Sequence, residues 1–254
     1  MYWQEISGGW VLIPPQPRGI IHFLGGAFVA AAPHVTYRCL LEQVGQAGYA
    51  VIATSFVNTL DHGAIARNVL NRFEIILTRL HTKNAFSQSY LPIYGIGHSL
   101  GCKLHLLISS LFSVQRAGNI LISYNNYPVN RAIPLAEQFN LTSGLNWEFS
   151  PSPEETNKII TKKYQVRRNL LVKFTDDTID QTLILNPILQ NLFPHLVTLQ
   201  TLSGNHLTPL GQEITWQSGK QFSPLDAFGQ WIKQEVYRDL EQLNQEILRW
   251  LNPI

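Results

Sequence analysis

Short apolar runs alternate with longer amphipathic segments along most of the chain. Each run is six to eight residues long and mostly apolar, which is typical of a strand buried on both faces. In the segments between them, apolar residues recur at every third or fourth position, the spacing of one face of an α-helix. The runs cover 19–24, 49–56, 91–97, 119–124, 169–174 and 196–202, and the helical segments cover 34–48, 62–81, 100–113 and 225–251.

This alternation predicts a single α/β domain over residues 1–254. Buried strands that alternate with helices build a mostly parallel sheet with helices on both faces. Before the first run, two short β-prone stretches, 3–6 and 10–13, flank Gly8 and Gly9, a pair typical of a tight hairpin turn. We therefore expect a three-layer sandwich whose sheet carries an antiparallel N-terminal hairpin at one edge.

Residues 125–168 interrupt the alternation between the fourth and fifth predicted parallel strands. Ser152, followed by Pro153 and then by Glu155, predicts the start of a helix within this stretch. We predict that the stretch forms a small lid over the edge of the sheet, and the alternative is an ordinary long connection with its own helix. The apolar residues available to a lid are Leu135, Phe139, Leu141, Leu145, Trp147 and Phe149.

The composition excludes several classes of protein. Hydrophobic residues make up 45% of the chain, which excludes intrinsic disorder as its dominant state. The net charge of +2 is too small and too scattered to indicate nucleic acid as the main partner. The densest basic stretch, residues 158–168, is interpreted as a solvated helix face, with attraction of an anionic substrate or a weak membrane contact as alternatives.

No cofactor or metal site is predicted. Cys39 and Cys102 are too few for a disulfide framework or a four-cysteine zinc site, and the glycine-rich phosphate-binding and His-Glu-x-x-His metal motifs are absent. No run approaches the ~20 apolar residues of a membrane span, and the N-terminus lacks the features of a signal peptide. We expect a soluble cytoplasmic protein without integral membrane association, or a plastid protein if a transit peptide has been removed.

The motif Gly97-His98-Ser99-Leu100-Gly101 is the most informative part of the sequence. It follows a strand-like run and begins a helix-like segment, which is the context of a nucleophile elbow. Glycines two positions before and two after the serine leave room for a turn this sharp. The motif therefore predicts that the Ser99 hydroxyl is presented above the sheet as a nucleophile.

Acidic residues and a histidine follow the last two predicted parallel strands. Asp176, Asp177 and Asp180 come after the fifth run, and His206 comes after the sixth. The carboxyl ends of parallel strands meet at one edge of the sheet, so these residues should share an edge with Ser99. The chain order predicts Ser99 as nucleophile, His206 as base and Asp177 as the orienting acid. Asp176 and Asp180 remain alternatives for the acid.

The remaining histidines fit the role of base less well. His98 is adjacent to Ser99, but its side chain should leave the turn in another direction. His195 precedes its strand and so should lie at the opposite edge of the sheet. The others are interpreted as packed, helix-terminus or surface residues: His22, His34, His62, His81 and His105.

Two backbone amides are expected to bind the oxyanion that forms during acyl transfer. One should belong to Leu100, directly after the nucleophile, and the other to the loop after the first parallel strand. In that loop, Gly25 and Gly26 allow close approach of the backbone. We predict Ala27 as the second donor, with Phe28 as the nearest alternative.

These residues together resemble the α/β-hydrolase superfamily over about residues 19–251. Residues 97–101 are similar to the family's nucleophile elbow, residues 174–177 resemble its acid turn, and residues 204–207 are similar to its Gly-x-His ending. The sequences GIGHSLG and SGNHLTP, with the glycine loop, also resemble an uncharacterised branch found in cyanobacteria and plastids. The resemblance implies a fold and an ancestry but no substrate.

The predicted activity is hydrolysis of a small-molecule ester or thioester through an acyl-enzyme. Phe28, Phe139 and Trp147 are predicted to bind the substrate, and the apolar lid favours medium or long acyl chains over acetyl. The alternative is a catalytically inactive binding or assembly protein on the same scaffold. Two departures from the family pattern support that alternative: Gly25 follows Leu24 where a histidine is common, and Phe174 replaces a glycine of the acid turn.

Overall fold

An eight-stranded sheet forms the centre of the computed structural model, which describes residues 1–86, 88, 90–129, 148–210 and 236–252. The order across the sheet is β1-β2-β4-β3-β5-β6-β7-β8, and β2 is antiparallel to both of its neighbours while the later strands run parallel. The predicted mostly parallel sheet with an antiparallel N-terminal hairpin is confirmed. The strands are β1 (Gln4–Ile6), β2 (Gly9–Leu12), β3 (Gly19–Leu24), β4 (Tyr49–Thr54), β5 (Ile93–His98), β6 (Gly118–Ile122), β7 (Asn169–Phe174) and β8 (Val197–Leu202).

Helices cover both faces of this sheet and give the predicted three layers. They are α1 (Pro33–Thr36), α2 (Arg38–Gln46), α3 (His62–Thr82), α4 (Leu100–Leu111), α5 (Pro153–Lys163), α6 (Thr182–Leu192) and α7 (Val236–Leu251). Side chains alternate between the faces along β3: Phe23 packs in one core cluster with Leu40 of α2 and Leu243 of α7. Leu24 packs on the other side with Leu104 of α4. The strands are therefore buried on both faces, as their apolar runs predict.

Helix α6 is the main element that the hydrophobic pattern does not predict. Pro187 lies inside it, and a proline in a helix interior removes one backbone hydrogen bond. Its ring lies on the exposed side of the helix. Leu185 and Leu189 face the opposite way and are fully buried. Burial of this apolar face stabilises the helix despite the lost hydrogen bond.

The second half of the segment 125–168 forms helix α5, the connection between β6 and β7. Ser152 accepts the N–H of Glu155, and the Glu155 carboxylate accepts the N–H of Ser152, which is the predicted capping box. Ile160 is fully buried in a core cluster shared with α4, so this helix packs on the sheet like an ordinary connection. Residues 130–147 lie outside the described part of the chain.

Replacing Ser152 by alanine should lower the free energy of unfolding by about 1 kcal/mol, because the Glu155 amide loses its capping acceptor. Thr161→Ala, on the exposed side of the same helix, is the matched control and should change stability by at most a few tenths of a kcal/mol. Urea denaturation of both variants measures the difference. Equal effects would contradict a stabilising role for the cap.

Candidate active site

A strained turn between β5 and α4 presents Ser99. Ser99 has φ 55° and ψ −118°, a conformation that side chains rarely adopt. A Cβ added to Gly101 would lie 2.1 Å from the carbonyl oxygen of Leu24, and one added to Gly97 would lie 2.7 Å from the amide of Cys102. Only glycine fits at either position, so the strand–turn–helix context predicted for this motif is present.

Ser99, His206 and Asp177 form a continuous chain of hydrogen bonds. The Ser99 Oγ lies 3.0 Å from the Nε2 of His206, and the Nδ1 of His206 lies 2.8 Å from the Oδ2 of Asp177. A carboxylate can only accept, so Nδ1 carries the proton and Nε2 is left to accept from the Ser99 hydroxyl. Asp177 follows β7 and His206 follows β8, at the edge of the sheet where the Ser99 turn lies.

The local turn selects Asp177 from the three candidate carboxylates. Asp177 has a fully buried side chain, and its second oxygen accepts the N–H of Ile179 at 3.0 Å. Burial by itself raises the pKa of Asp177, but the hydrogen bond and charge of His206, together with further hydrogen bonds to the carboxylate, outweigh burial and lower the pKa below its ordinary value. Asp180 instead accepts the N–H of Thr182, and Asp176 is exposed and bonds to the neighbouring residue's hydroxyl.

The two amides predicted to bind an oxyanion lie beside Ser99. Leu100 is the first residue of α4, so its N–H has no acceptor within the helix. Among the described residues, no hydrogen bond takes up the N–H of Ala27, and both residues line the same cavity as Ser99. A Cβ on Gly26 would lie 3.4 Å from the Cβ of Ser99, which shows how closely this loop approaches the turn.

Tyr37 and His98 connect the surrounding loops, and the sequence pattern does not predict this role for them. The Tyr37 hydroxyl accepts the N–H of Gly26 at 2.8 Å and lies 2.7 Å from the Nδ1 of His98. The Nε2 of His98 lies 2.9 Å from the backbone carbonyl of His206. His98 therefore joins the glycine loop to the loop that carries His206, and the Ser99 hydroxyl bonds to His206 instead.

This network fixes a single tautomer of His98. The carbonyl of His206 can only accept, so the Nε2 of His98 carries the ring proton and donates to it. The unprotonated Nδ1 then accepts from the Tyr37 hydroxyl, whose oxygen accepts the N–H of Gly26. Burial, and then the nearby His206, lower the pKa of His98 to about 3. His98 is thus a neutral bridge between two loops and does not compete with His206 for the Ser99 proton.

A cavity of about 270 Å³ opens beside Ser99 and His206. Phe28 lies at its rim with its side chain 70% exposed, and residues 125–127 and Phe149, from the two described ends of the predicted lid segment, line it. Phe139 and Trp147, the other predicted substrate-binding residues, lie outside the described residues. The apolar walls are formed by Val29, Leu100, Phe149, Ile179, Leu207 and Leu210.

His62 is buried, although the sequence interpretation allowed a surface position. It is the first residue of α3, as a helix-terminus residue should be, but it is only 2% exposed and also lines the cavity. Its ring stacks on Phe149 with 4.2 Å between centroids. The packing partner Phe149 comes from a distant part of the chain, so the local sequence gives no sign of this burial.

The described residues contain no group of three or more His, Cys, Asp or Glu side chains arranged to hold a metal ion. Within the same ranges, no helix is both long and apolar enough to cross a membrane.

Stability should decrease as the pH falls, because the buried His98 stays neutral in the folded chain. The unfolded chain binds a proton near the ordinary pKa of 6.5, whereas folded His98, with a pKa of about 3, does not. Between these values the unfolded state holds more protons, so the free energy of unfolding falls by about 1.4 kcal/mol per pH unit for this residue. Urea denaturation at a series of pH values measures the slope.

The variant His98→Gln should make this slope shallower by about 1.4 kcal/mol per pH unit. Ser99→Ala is the matched control, because it changes the neighbouring position and removes no titrating histidine. Its slope should equal that of the wild type. A wild-type slope in His98→Gln would contradict a buried, neutral His98.

Several solved structures with a similar fold are named as hydrolases or esterases. Fluorophosphonate-binding serine hydrolase F from Staphylococcus aureus has a TM-score of 0.60 at 11% identity, covering 96% of this chain and 92% of that one. Dienelactone hydrolase from Anabaena variabilis has a TM-score of 0.59 at 14% identity, covering 98% and 96%. Carboxyl esterase 2 from Tuber melanosporum has a TM-score of 0.60 at 14% identity, covering 96% and 82%. At such identities the likeness establishes the fold alone.

Comparison with curated proteins finds no match. A family model does match, and it spans residues 2–253, which is nearly the whole chain. The chain therefore has the α/β-hydrolase fold and belongs to the family described as proteins of unknown function, DUF1350.

Proposed function

We propose that the protein is a serine hydrolase that cleaves a small-molecule ester or thioester through an acyl-enzyme. The observation that carries the proposal is the hydrogen-bonded chain from the Ser99 hydroxyl through His206 to the buried Asp177. A serine hydroxyl is a weak nucleophile at neutral pH, and a neutral imidazole that accepts its proton activates it. The anionic Asp177 holds the ring of His206 in the tautomer that can accept.

The reaction proceeds in two proton-balanced halves. Ser99 Oγ bonds to the acyl carbon while its proton passes to the Nε2 of His206, and His206 then gives that proton to the leaving oxygen or sulfur as the bond to the acyl carbon breaks. A water molecule next transfers a proton to His206 and bonds to the same carbon. The Ser99 oxygen leaves and regains its proton from His206.

Negative charge on the carbonyl oxygen is stabilised by backbone amides in this proposal. Leu100 and Ala27 line the cavity at Ser99, and their N–H groups have no acceptor within the described residues. Both are held in place before the substrate binds, Leu100 by the start of α4 and Ala27 by the loop whose Gly26 bonds to Tyr37. Preorganised donors of this kind contribute a large part of catalysis in acyl transfer.

The acyl group packs against the apolar walls of the cavity. Phe149, Ile179 and Leu207 supply hydrocarbon surface next to Ser99, and burial of each methylene contributes about 0.8 kcal/mol. We include Phe28 at the rim as a substrate contact, and Phe139 and Trp147 as parts of a lid. The substrate is therefore longer than an acetyl ester.

The structural neighbours support this class of reaction, since their names describe serine hydrolases and esterases. One of them is named for binding a fluorophosphonate, a reagent that phosphonylates an activated serine. The nearer kinship with a cyanobacterial and plastid branch, and the cytoplasmic or plastid location, stay predictions.

A fluorophosphonate probe should label the wild-type chain at Ser99 in a one-to-one ratio, and Ser99→Ala should not be labelled.

Asp177→Asn should reduce kcat by about 10³-fold or more. The asparagine amide can donate to Nδ1 of His206, which leaves the proton on Nε2, so that His206 can no longer accept the proton of Ser99. Asp176→Asn, one residue away on the exposed side of the turn, is the matched control and should keep kcat within about twofold. Intact-mass spectrometry and hydrolysis of p-nitrophenyl esters provide the two measurements.

Absence of labelling in the correctly folded wild type would overturn the proposal. That outcome would favour the alternative of an inactive binding or assembly protein on the hydrolase scaffold. Equal losses in the two aspartate variants would show that Asp177 is not the orienting acid.

A further inference from the structure

The buried end of the cavity carries polar groups that the proposed reaction does not use. Lys103 lies four residues after Ser99, on the same side of α4 and about one helical turn further along. It is 1% exposed and lines the cavity together with His62 and Asn58. Lysine is almost never fully buried unless it is paired. A buried ammonium in a substrate cavity therefore needs a partner.

The ammonium group of Lys103 donates one hydrogen bond within the described structure. Its Nζ donates to the backbone carbonyl of Pro151 at 3.0 Å and lies 5.8 Å from the centroid of the Phe149 ring. An ammonium has three donors, so the bond to Pro151 leaves two. No described carboxylate forms an ion pair with it. Burial lowers the pKa of Lys103 to about 7, partly opposed by the charges of Glu148 and Glu155, and a bound anion would restore the charged form.

His62 and Asn58 add further unpaired groups at this end. Both ring nitrogens of His62 and the Oδ1 of Asn58 are buried and have no hydrogen-bond partner among the described residues. Buried polar atoms are nearly always hydrogen-bonded, because an unpaired one loses its bonds to water without replacement. A ligand that accepts hydrogen bonds at this point would supply the missing partner of the protonated His62 nitrogen, whereas the Asn58 oxygen needs a donor.

Ser99 and Lys103 lie about one helical turn apart and line the same cavity, so the ligand of Lys103 can be part of a short acyl group on Ser99. His206, which protonates the leaving group in the proposed reaction, has a side chain 17% exposed and so lies nearer the mouth of the cavity. The leaving group departs from that side, and the acyl group occupies the buried side with Lys103.

We propose that Lys103 binds a carboxylate at the far end of the acyl group, so that the preferred substrates are monoesters or monothioesters of short dicarboxylic acids. This inference rests on the proposed hydrolase function and names its substrate class. The apolar walls take up the methylenes between the two carbonyl carbons. Lys103 donates to the carboxylate, and His62 donates to it from one ring nitrogen.

The test compares two p-nitrophenyl esters that differ only at the end of the acyl chain, glutaryl with a free carboxylate and pentanoyl without one. In the wild type, kcat/KM for the glutaryl ester should exceed that for the pentanoyl ester by about tenfold or more, since charge-assisted hydrogen bonds are stronger than neutral ones. Spontaneous hydrolysis of each ester is measured without protein and subtracted. A wild-type ratio near one would overturn the proposal, whatever the variants do.

Variants at position 103 test whether the charge of Lys103 causes the preference for the glutaryl ester. Lys103→Met should lower the ratio of glutaryl to pentanoyl by about tenfold or more, because the carboxylate is buried without a cation. Lys103→Arg keeps the charge and should retain a ratio above one. Lys158→Met, at an exposed lysine of α5, is the matched control and should keep the wild-type ratio. An unchanged ratio in Lys103→Met would contradict the role of Lys103.

A binding measurement separates this proposal from the hydrolase proposal. Calorimetry with Ser99→Ala should show monomethyl glutarate bound about tenfold or more tighter than methyl pentanoate. If the wild type neither hydrolyses esters nor reacts with a fluorophosphonate while this difference persists, the hydrolase proposal fails and the carboxylate site stands. If Ser99 is labelled and the pentanoyl ester is cleaved but neither preference is found, the carboxylate site fails and the hydrolase proposal stands.

Discussion

The close packing of the Ser99 turn against the end of β3 is the constraint on which the site depends most. Gly101 approaches the carbonyl of Leu24 so closely that no side chain fits between them. This contact brings the start of α4 and the loop after β3 together, with Ser99, Leu100 and Ala27 around one cavity. Any larger residue at position 101 would force α4 away from β3 and would separate the nucleophile from one of its two amide donors.

A second constraint is a set of hydrogen bonds that fixes the positions of the loops around this turn. Gly26, His98 and His206 come from distant parts of the chain, and a single hydrogen-bonded path through Tyr37 connects them. Because His98 is neutral and has one tautomer, each hydrogen bond of this path has a fixed donor and a fixed acceptor. The loops are therefore positioned before a substrate arrives, which is the condition under which fixed dipoles stabilise a transition state effectively. The same burial makes the folded state sensitive to acid.

Much of the fold follows from the sequence because buried parallel strands have a simple pattern. Both β3 and β7 begin and end at the predicted residues, and the predicted order of Ser99, Asp177 and His206 follows from the rule that parallel strands end at one edge. The sequence predicts Asp177 as the acid but leaves Asp176 and Asp180 as alternatives. The choice among them depends on the turn after β7, in which the Ile179 amide holds one oxygen of Asp177 while the other faces His206.

The remaining features of the site depend on contacts between distant segments. Tyr37 has no motif around it, and its role follows only from packing beside the glycine loop. In the sequence, Lys103 is one of several polar residues in a mostly apolar helix, and Phe149 and Pro151 from a distant segment contact it where it is buried. Local spacing carries no information about such partners, so polar residues at a site are harder to predict than the strands that support them.

In the proposed reaction, Ser99 carries the acyl group between the two halves. Acid quenching within the first turnover of a p-nitrophenyl ester, followed by proteolysis and mass spectrometry, tests this directly. The peptide containing Ser99 should gain the mass of the acyl group, and nitrophenolate should be released in an initial burst that does not exceed one equivalent per chain. Continued ester turnover with no acyl mass on that peptide, or with the acyl group on another residue, would contradict this role of Ser99.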